Sequence, residues 1–233
     1  MGHCRGLFIT GTNTGVGKTY VGAMIVRSLV AAGHRVGVYK PVESGCACEG
    51  KTLIAADARQ LWKAADMPGD FSKVCPQRFE AALSPPQAAA LEDQSVNPRL
   101  LRSGLNYWRD RSDIVLVEGA GGLMSPLSTE DYNADLAAYL GFPLVIVAEN
   151  QLGAINATLQ TLITARAVAP RLPIAGVILN VTDQRADGVC TSQNLRELRA
   201  RCDVPILAYV DFGQIDFSEI EVNDDIDWFT LGQ

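Results

Sequence analysis

The sequence has few histidines and no long hydrophobic segment. Its 233 residues include two histidines, His3 and His34, so neither a zinc site of several histidines nor a histidine-based catalytic triad is expected. No apolar run approaches the roughly 18 residues that a membrane-spanning helix needs. The first residues, MGHCRG, are too short and too polar a stretch for a signal peptide. We therefore expect a cytoplasmic protein that does not bind membranes.

The sequence also lacks a basic cluster and paired cysteine motifs. The net charge is −6, and without a basic patch the chain is not expected to bind nucleic acid. Six cysteines are present, but Cys46 and Cys48 form a lone C-x-C with no second pair at metal-binding spacing. Free thiols are therefore expected, since disulfides are rare in the cytoplasm.

Short apolar segments alternate with helical patterns along the whole chain. The predicted strands cover residues 7–10, 35–40, 113–118, 143–149, 174–180 and 205–210. These runs are continuously apolar, as is typical of parallel strands that are buried on both faces. The alternation predicts an α/β fold with a doubly wound, mostly parallel sheet. Residues 1–233 are expected to form a single domain. The acidic tail over 211–233 has no assigned role, and its Trp228 and Phe229 are candidates for packing back onto the sheet.

The stretch GTNTGVGKT, residues 11–19, follows the first predicted strand and opens a helix. This is the context of a P-loop, whose backbone N–H groups and helix N-terminus bind phosphate oxygens. Lys18 would neutralise the β- and γ-phosphates, and the Thr19 hydroxyl would ligate Mg²⁺, which prefers oxygen. The loop is one residue longer than the strict pattern, because its first glycine is Gly11. The stretch predicts nucleotide binding.

A second stretch, IVLVEGAGG, is an apolar strand that ends in an acid at Glu118. This arrangement is typical of a Walker-B strand, with glutamate in the place where aspartate is commoner. The glycines that follow allow the backbone to approach a ligand closely. Glu118 is therefore a candidate magnesium ligand beside the nucleotide.

Four stretches together resemble the dethiobiotin synthetase family: GTNTGVGKT, YKPVESG, VLVEGAGGLMSPL and QLGAIN, in this order. The resemblance covers roughly residues 7–210. It implies a P-loop NTPase-like sheet of about seven strands and a homodimer. It also implies a reaction in which CO₂ forms a carbamate on 7,8-diaminopelargonic acid and MgATP phosphorylates that carbamate. The second amine then closes the ring to give dethiobiotin, ADP and phosphate.

The resemblance also implies roles for individual residues. The implied Mg²⁺ ligands are Thr19, Asp57 and Glu118. The residues implied to bind the nucleotide are Thr14, Gly15, Val16, Gly17, Lys18, Gly119, Ala120, Gly121 and, at the base, Asn180. Those implied to meet the carbamate or the diamine are Thr14, Lys40, Ser44 and Gly121, with Lys40 and Lys18 catalytic. Gly153 and Asn156 are implied to reach the substrate carboxylate in the partner subunit.

Two other ATPase classes remain as alternatives. In partition-type switch ATPases a signature lysine stands near the loop start, where this chain has Asn13 and Thr14. Cobyrinate-type amide-forming ATPases usually carry a second, glutamine-using domain, which is not found in these residues. The stretch NVTD, residues 180–183, partly matches a guanine-reading motif but has Val181 in place of its lysine. ATP is the favoured nucleotide, and the base preference stays open.

Overall fold

The computed structural model describes residues 4–50, 52–217 and 226–233. Its strands are β1 Arg5–Gly11, β2 Val36–Tyr39, β3 Val42–Glu43, β4 Ala47–Glu49, β5 Thr52–Ile54, β6 Gln77–Arg78, β7 Ile114–Gly122, β8 Leu144–Glu149, β9 Ile174–Asn180 and β10 Ile206–Val210. Its helices are α1 Lys18–Ala31, α2 Ala56–Ala64, α3 Phe71–Val74, α4 Pro85–Leu91, α5 Pro98–Ser103, α6 Asn106–Arg109, α7 Asn133–Leu140, α8 Ala154–Val168, α9 Gly188–Arg201 and α10 Trp228–Leu231.

Within the described residues, six strands form the central sheet, in the order β10-β9-β8-β1-β7-β2. Every neighbouring pair in it is parallel. The predicted α/β class is confirmed, and the six strands of this sheet in the described residues are one fewer than the number of about seven that the family resemblance implies. Beyond β2 the chain passes through Pro41, which has no N–H for a sheet ladder. The short β3 that follows pairs with β6 instead, outside the central sheet.

The central strands are buried on both faces, as their continuous apolar runs predict. Leu7, Phe8 and Ile9 of β1 have no exposed surface, and the apolar part of β7 is equally buried. Because the strands are parallel, their carboxyl ends lie together along one side of the sheet, here called the carboxyl edge. The term refers to the side where the strands end and not to the outermost strands β10 and β2. The opposite edge, where the strands begin, is called the amino edge.

Two segments outside the central sheet form smaller elements. Residues 98–109 form the short helices α5 and α6, which are separated at Gly104 and Leu105. A Cβ atom at Gly104 would lie 2.3 Å from the Tyr39 hydroxyl, so the glycine permits this close packing. The segment around Cys46 and Cys48 is an antiparallel hairpin of β4 and β5.

The last residues pack against the amino edge. Trp228 is buried in the main core, and Phe229 stacks on His34 with ring centroids 4.0 Å apart. The Gly6 N–H donates to the Gly232 carbonyl at 2.9 Å. Residues 218–225 of the acidic tail lie outside the described residues. Within the described residues, no helix is both long and apolar enough to cross a bilayer.

Candidate active site

The phosphate-binding loop lies between β1 and α1 at the carboxyl edge. Gly15 and Gly17 have φ angles of 80° and 87°, a left-handed conformation that favours glycine. A Cβ atom at Gly17 would lie 2.1 Å from Nδ2 of Asn180, which donates to the Val16 carbonyl at 3.0 Å. Asn180 ends β9, so its side chain fastens the loop to a strand two positions away in the sheet.

Lys18 follows this loop as the first residue of α1. Its side chain is buried, and Nζ donates to the Asn13 carbonyl at 3.1 Å. Burial lowers the pKa of Lys18, and the negative charge of Glu118 partly opposes that shift. Because the bonded partner is a neutral carbonyl, the ammonium charge remains available to an anion bound in the loop.

A second buried lysine, Lys40, lies among carboxylates directly after β2. Its Nζ is 2.5 Å from Oε1 of Glu118 and 3.4 Å from Oδ2 of Asp57. The Thr19 hydroxyl donates to the same Glu118 oxygen at 2.8 Å. Burial would lower the pKa of Lys40, but the charges of Glu118, Asp57 and Glu43 outweigh burial and raise it. Lys40 is therefore held as a buried cation.

The oxygen atoms around Lys40 suit a small, hard cation. The second oxygen of Glu118, Oε2, is buried and has no hydrogen-bond partner in the described part of the chain. A buried carboxylate oxygen of this kind is costly unless another group satisfies it. Mg²⁺ is commonly held by one or two carboxylates together with water and substrate phosphates. The hydroxyl of Thr19 and the carboxylates of Asp57 and Glu118 form a donor set that fits this pattern.

The charge balance leads to the same conclusion. Two lysines, Lys18 and Lys40, are close to three carboxylates, those of Glu43, Asp57 and Glu118. The net charge of these five side chains is −1 when all are ionised and no phosphate is bound. Among the described residues no group of three or more His, Cys, Asp or Glu side chains forms a metal site by itself. A cation here would therefore depend on phosphate oxygens or water as further ligands.

A cavity of about 360 Å³ opens beside these groups. The predicted site residues that line it are Thr14, Gly15, Gly17, Lys18, Thr19, Lys40, Ser44, Asp57, Ala120 and Gly121. Tyr20, Glu43 and Gln60 also line it, although the sequence analysis did not select them. The structure thus brings together residues from three separate motifs.

The other predicted site residues lie behind the cavity or away from it. Val16 is buried in the core. A Cβ atom at Gly119 would lie 2.2 Å from the side-chain oxygen of Asn133. Gly153 precedes α8 with a φ angle of 97°, and Asn156 is exposed in the first turn of that helix. Neither of these last two lines the cavity, so their proposed action on a partner subunit stays a prediction.

Asn133 is a functional candidate that the sequence analysis missed. It is fully buried, and its Nδ2 donates to the carbonyls of Ala120 and Gly122 at 2.7 and 2.8 Å. Its Oδ1 accepts from the Ala120 N–H at 3.1 Å. These bonds fix the glycine-rich end of β7, which lines the cavity and continues the strand beyond its predicted end at Glu118. In the sequence Asn133 resembles an ordinary helix-start residue, so no local pattern could identify this role.

The loop between a parallel strand and a helix, opposite a strand that carries a buried acid, defines a P-loop nucleotide-binding protein. The family described as "AAA domain" matches residues 5–214. The chain is 45% identical over 214 residues to the ATP-dependent dethiobiotin synthetase BioD of Rhodopirellula baltica, covering 87% of this chain and 82% of that protein. It is 41% identical over 184 residues to the protein of the same name from Anaeromyxobacter dehalogenans, covering 78% and 79%. The chain belongs to the ATP-dependent dethiobiotin synthetase family, which confirms the resemblance.

Solved structures support the fold independently. The cell division protein FtsY of Thermotoga maritima superposes with a TM-score of 0.51 at 15% identity. The match covers 94% of this chain and 65% of that one, so the present chain spans just under two thirds of its length. At this identity the likeness shows the P-loop fold alone.

Proposed function

We propose that this chain is an ATP-dependent dethiobiotin synthetase acting in biotin biosynthesis. Its reaction would carboxylate 7,8-diaminopelargonic acid with CO₂ and close the ring with release of ADP and phosphate. The observation that carries the proposal is the second lysine, Lys40, buried beside Glu118 at the edge of the phosphate-binding loop. A P-loop protein that only binds nucleotide has no evident need for a second buried cation at this place.

The nucleotide would bind through the loop and Lys18. The N–H groups of the loop and the start of α1 supply a positive end for the phosphates. Thr19, Asp57 and Glu118 would hold Mg²⁺, which would neutralise phosphate charge when bound. Phosphoryl transfer depends mainly on positioning and charge neutralisation. None of these roles requires an acid–base histidine.

Lys40 would interact with the carbamate, which is the other anion of the reaction. A carbamate must approach the γ-phosphate although both are negative, and a fixed cation between them lowers that repulsion. Because Lys40 is buried, water screens its charge little. Ser44 and Gly121, which line the same cavity, would orient the diamine. Phosphorylation then makes the carbamate carbon an electrophile that the second amine can attack.

Three further features belong to the proposal. The protein would be a homodimer in which Gly153 and Asn156 of one subunit reach the substrate carboxylate in the other. A helix N-terminus such as that of α8 can bind a carboxylate. Residues 1–233 would act as one domain, and the cytoplasmic location stays a prediction.

The test is phosphate release in the presence of MgATP, bicarbonate and the diamine. We expect release to require all three and to accompany a ring-closed product, identified by mass spectrometry. A monoamine of equal length is the matched control, since it can form a carbamate but cannot close the ring. ATP hydrolysis that is indifferent to the diamine would refute the proposal and favour a switch ATPase.

A further inference from the structure

Glu43 makes two hydrogen bonds to the beginning of α2. Its Oε1 accepts from the Asp57 N–H at 3.0 Å, and its Oε2 accepts from the Ala58 N–H at 2.9 Å. The residue at the N-cap position of this helix is Ala55, which offers no side-chain acceptor. Glu43 therefore supplies, from β3, the cap that the helix lacks in its own sequence.

This cap differs from the other caps of the molecule in its surroundings. Asn97 and Asp187 cap α5 and α9 from the exposed N-cap positions of those helices. Glu43 is 6% exposed and lines the candidate active-site cavity. Burying a carboxylate is costly, whereas a serine or aspartate at position 55 would be the ordinary local cap. The position of Glu43 thus suggests a role beyond holding a helix end.

The residue that the cap holds is one of the candidate metal ligands. Glu43 fixes the backbone N–H of Asp57, whose own carboxylate lies 3.4 Å from Nζ of Lys40. Lys40 in turn bonds Glu118. One buried carboxylate therefore connects the start of α2 with Lys40, directly after β2, and with Glu118 in β7.

We propose that Glu43 is a positioning residue that holds Asp57, and through it Lys40, in the geometry needed for the magnesium–nucleotide complex. It acts through these neighbours and does not itself touch the reacting atoms. The inference rests on the proposed function of the site, and it adds a residue and a specific dependence on Mg²⁺. Groups that orient metal ligands typically change metal affinity or activity by about 10- to 100-fold when removed.

Two substitutions of Glu43 should raise the Mg²⁺ requirement to different extents. Glu43→Ala removes the charge and both acceptors, so we expect the Mg²⁺ concentration for half-maximal ATP binding to rise about tenfold or more. Glu43→Gln keeps one acceptor oxygen and fills the same space, so its shift should be smaller and in the same direction. The matched control is Asn97→Ala. It removes a side-chain cap that accepts two backbone hydrogen bonds at α5, a helix away from the cavity.

The readout is binding of ATP measured by calorimetry with and without Mg²⁺. The inference requires that Mg²⁺-dependent binding weakens in the Glu43 variants while Mg²⁺-free binding changes within about twofold, and that Asn97→Ala changes neither. Amide hydrogen exchange at the start of α2 should rise in Glu43→Ala. If Glu43→Ala does not fold, Glu43→Gln decides the matter.

Two results would overturn the inference. One is a folded variant with the wild-type Mg²⁺ requirement, and the other is an equal loss of binding with and without Mg²⁺, which indicates a structural role only. Failure of the proposed function would look different. The wild-type protein would then show no diamine-dependent phosphate release, while the binding measurements on Glu43 would still stand.

Discussion

The amino edge and the carboxyl edge of the central sheet differ in how their charged side chains are buried and paired. At the amino edge, the charged Arg5 lies over the Phe229 ring at 4.1 Å, and Arg35 forms an exposed ion pair with Asp113. At the carboxyl edge, Lys40 and Glu118 are buried, and one oxygen of Glu118 has no partner among the described residues. The charges of Arg5 and Arg35 are thus satisfied at the amino edge, whereas the carboxyl edge keeps a buried carboxylate oxygen with unused hydrogen-bonding capacity among the described residues.

Replacing Lys40 should have the largest effect on activity. Lys40→Ala removes the cation beside the proposed carbamate, and we expect a loss of about a thousandfold in the rate of diamine-dependent phosphate release. Stability should also fall, because Glu118 is left as a buried and uncompensated charge. Steady-state rates and urea unfolding measure the two effects.

A double variant separates these effects of Lys40. Lys40→Met combined with Glu118→Gln removes both charges, so it should recover much of the stability while remaining inactive. A single Lys40→Ala variant with near wild-type activity would show that the assigned role is wrong.

Replacing Trp228 should lower the stability at the amino edge and leave the catalytic rate nearly unchanged. Trp228→Ala deletes a buried side chain from the core, and we expect a loss of about 3 to 5 kcal/mol in the free energy of unfolding. The rate per folded molecule, measured well below the unfolding transition, should stay within about twofold. A large fall in that rate would mean that the two edges are coupled.

Asn133 should show that stability and activity coincide at the carboxyl edge. Asn133→Ala leaves the backbone groups of Ala120 and Gly122 without these partners, which should cost about 2 kcal/mol of stability. Displacement of the glycine-rich end of β7 should also lower the rate by about tenfold. Asn194→Ala is the control, because Asn194 is also buried and bonds Asn150 and Gln151 outside the cavity. It should lose stability only, and equal rate losses in both variants would contradict the assignment.

The smallest effect concerns one ion pair at each edge. Hydrogen bonds from Arg102 and Arg35 lower the pKa of Asp131 and Asp113, respectively. A carboxyl with a depressed folded pKa stabilises the protein above its unfolded pKa of about 3.9, and that contribution is lost as the pH falls through the folded value. Asp131 is buried and Arg102 mostly so, whereas Arg35 is exposed.

We therefore expect Arg102→Met to remove about 1 kcal/mol of stability at pH 7 and to flatten the acid-induced loss below pH 4 to 5. Arg35→Met should change the profile little, since exposed pairs contribute little. Urea unfolding at a series of pH values tests both variants, and equal effects would show that burial does not distinguish the two pairs.

The local parts of the site were predictable from the sequence. The loop with Lys18 and Thr19 and the apolar strand that contains Glu118 each carry their pattern within ten residues. Glu43 and Asn133 could not be found in this way, because their partners lie in other elements and only the fold brings them together. The fold class followed from the continuous apolar runs. The same runs located the six strands of the central sheet, whereas β3, β4, β5 and β6 were not predicted because strands of two or three residues carry too little pattern.

The strand order also has a consequence for folding. The central strand β1 lies near the start of the chain, yet its neighbours are β7 and β8, and Arg5 pairs with Ile114. Pairings this distant in sequence are slow to form, because a long loop must close first. During synthesis the apolar β1 therefore stays unpaired until β7 has emerged. We expect slow refolding, with a period in which this strand is open to aggregation.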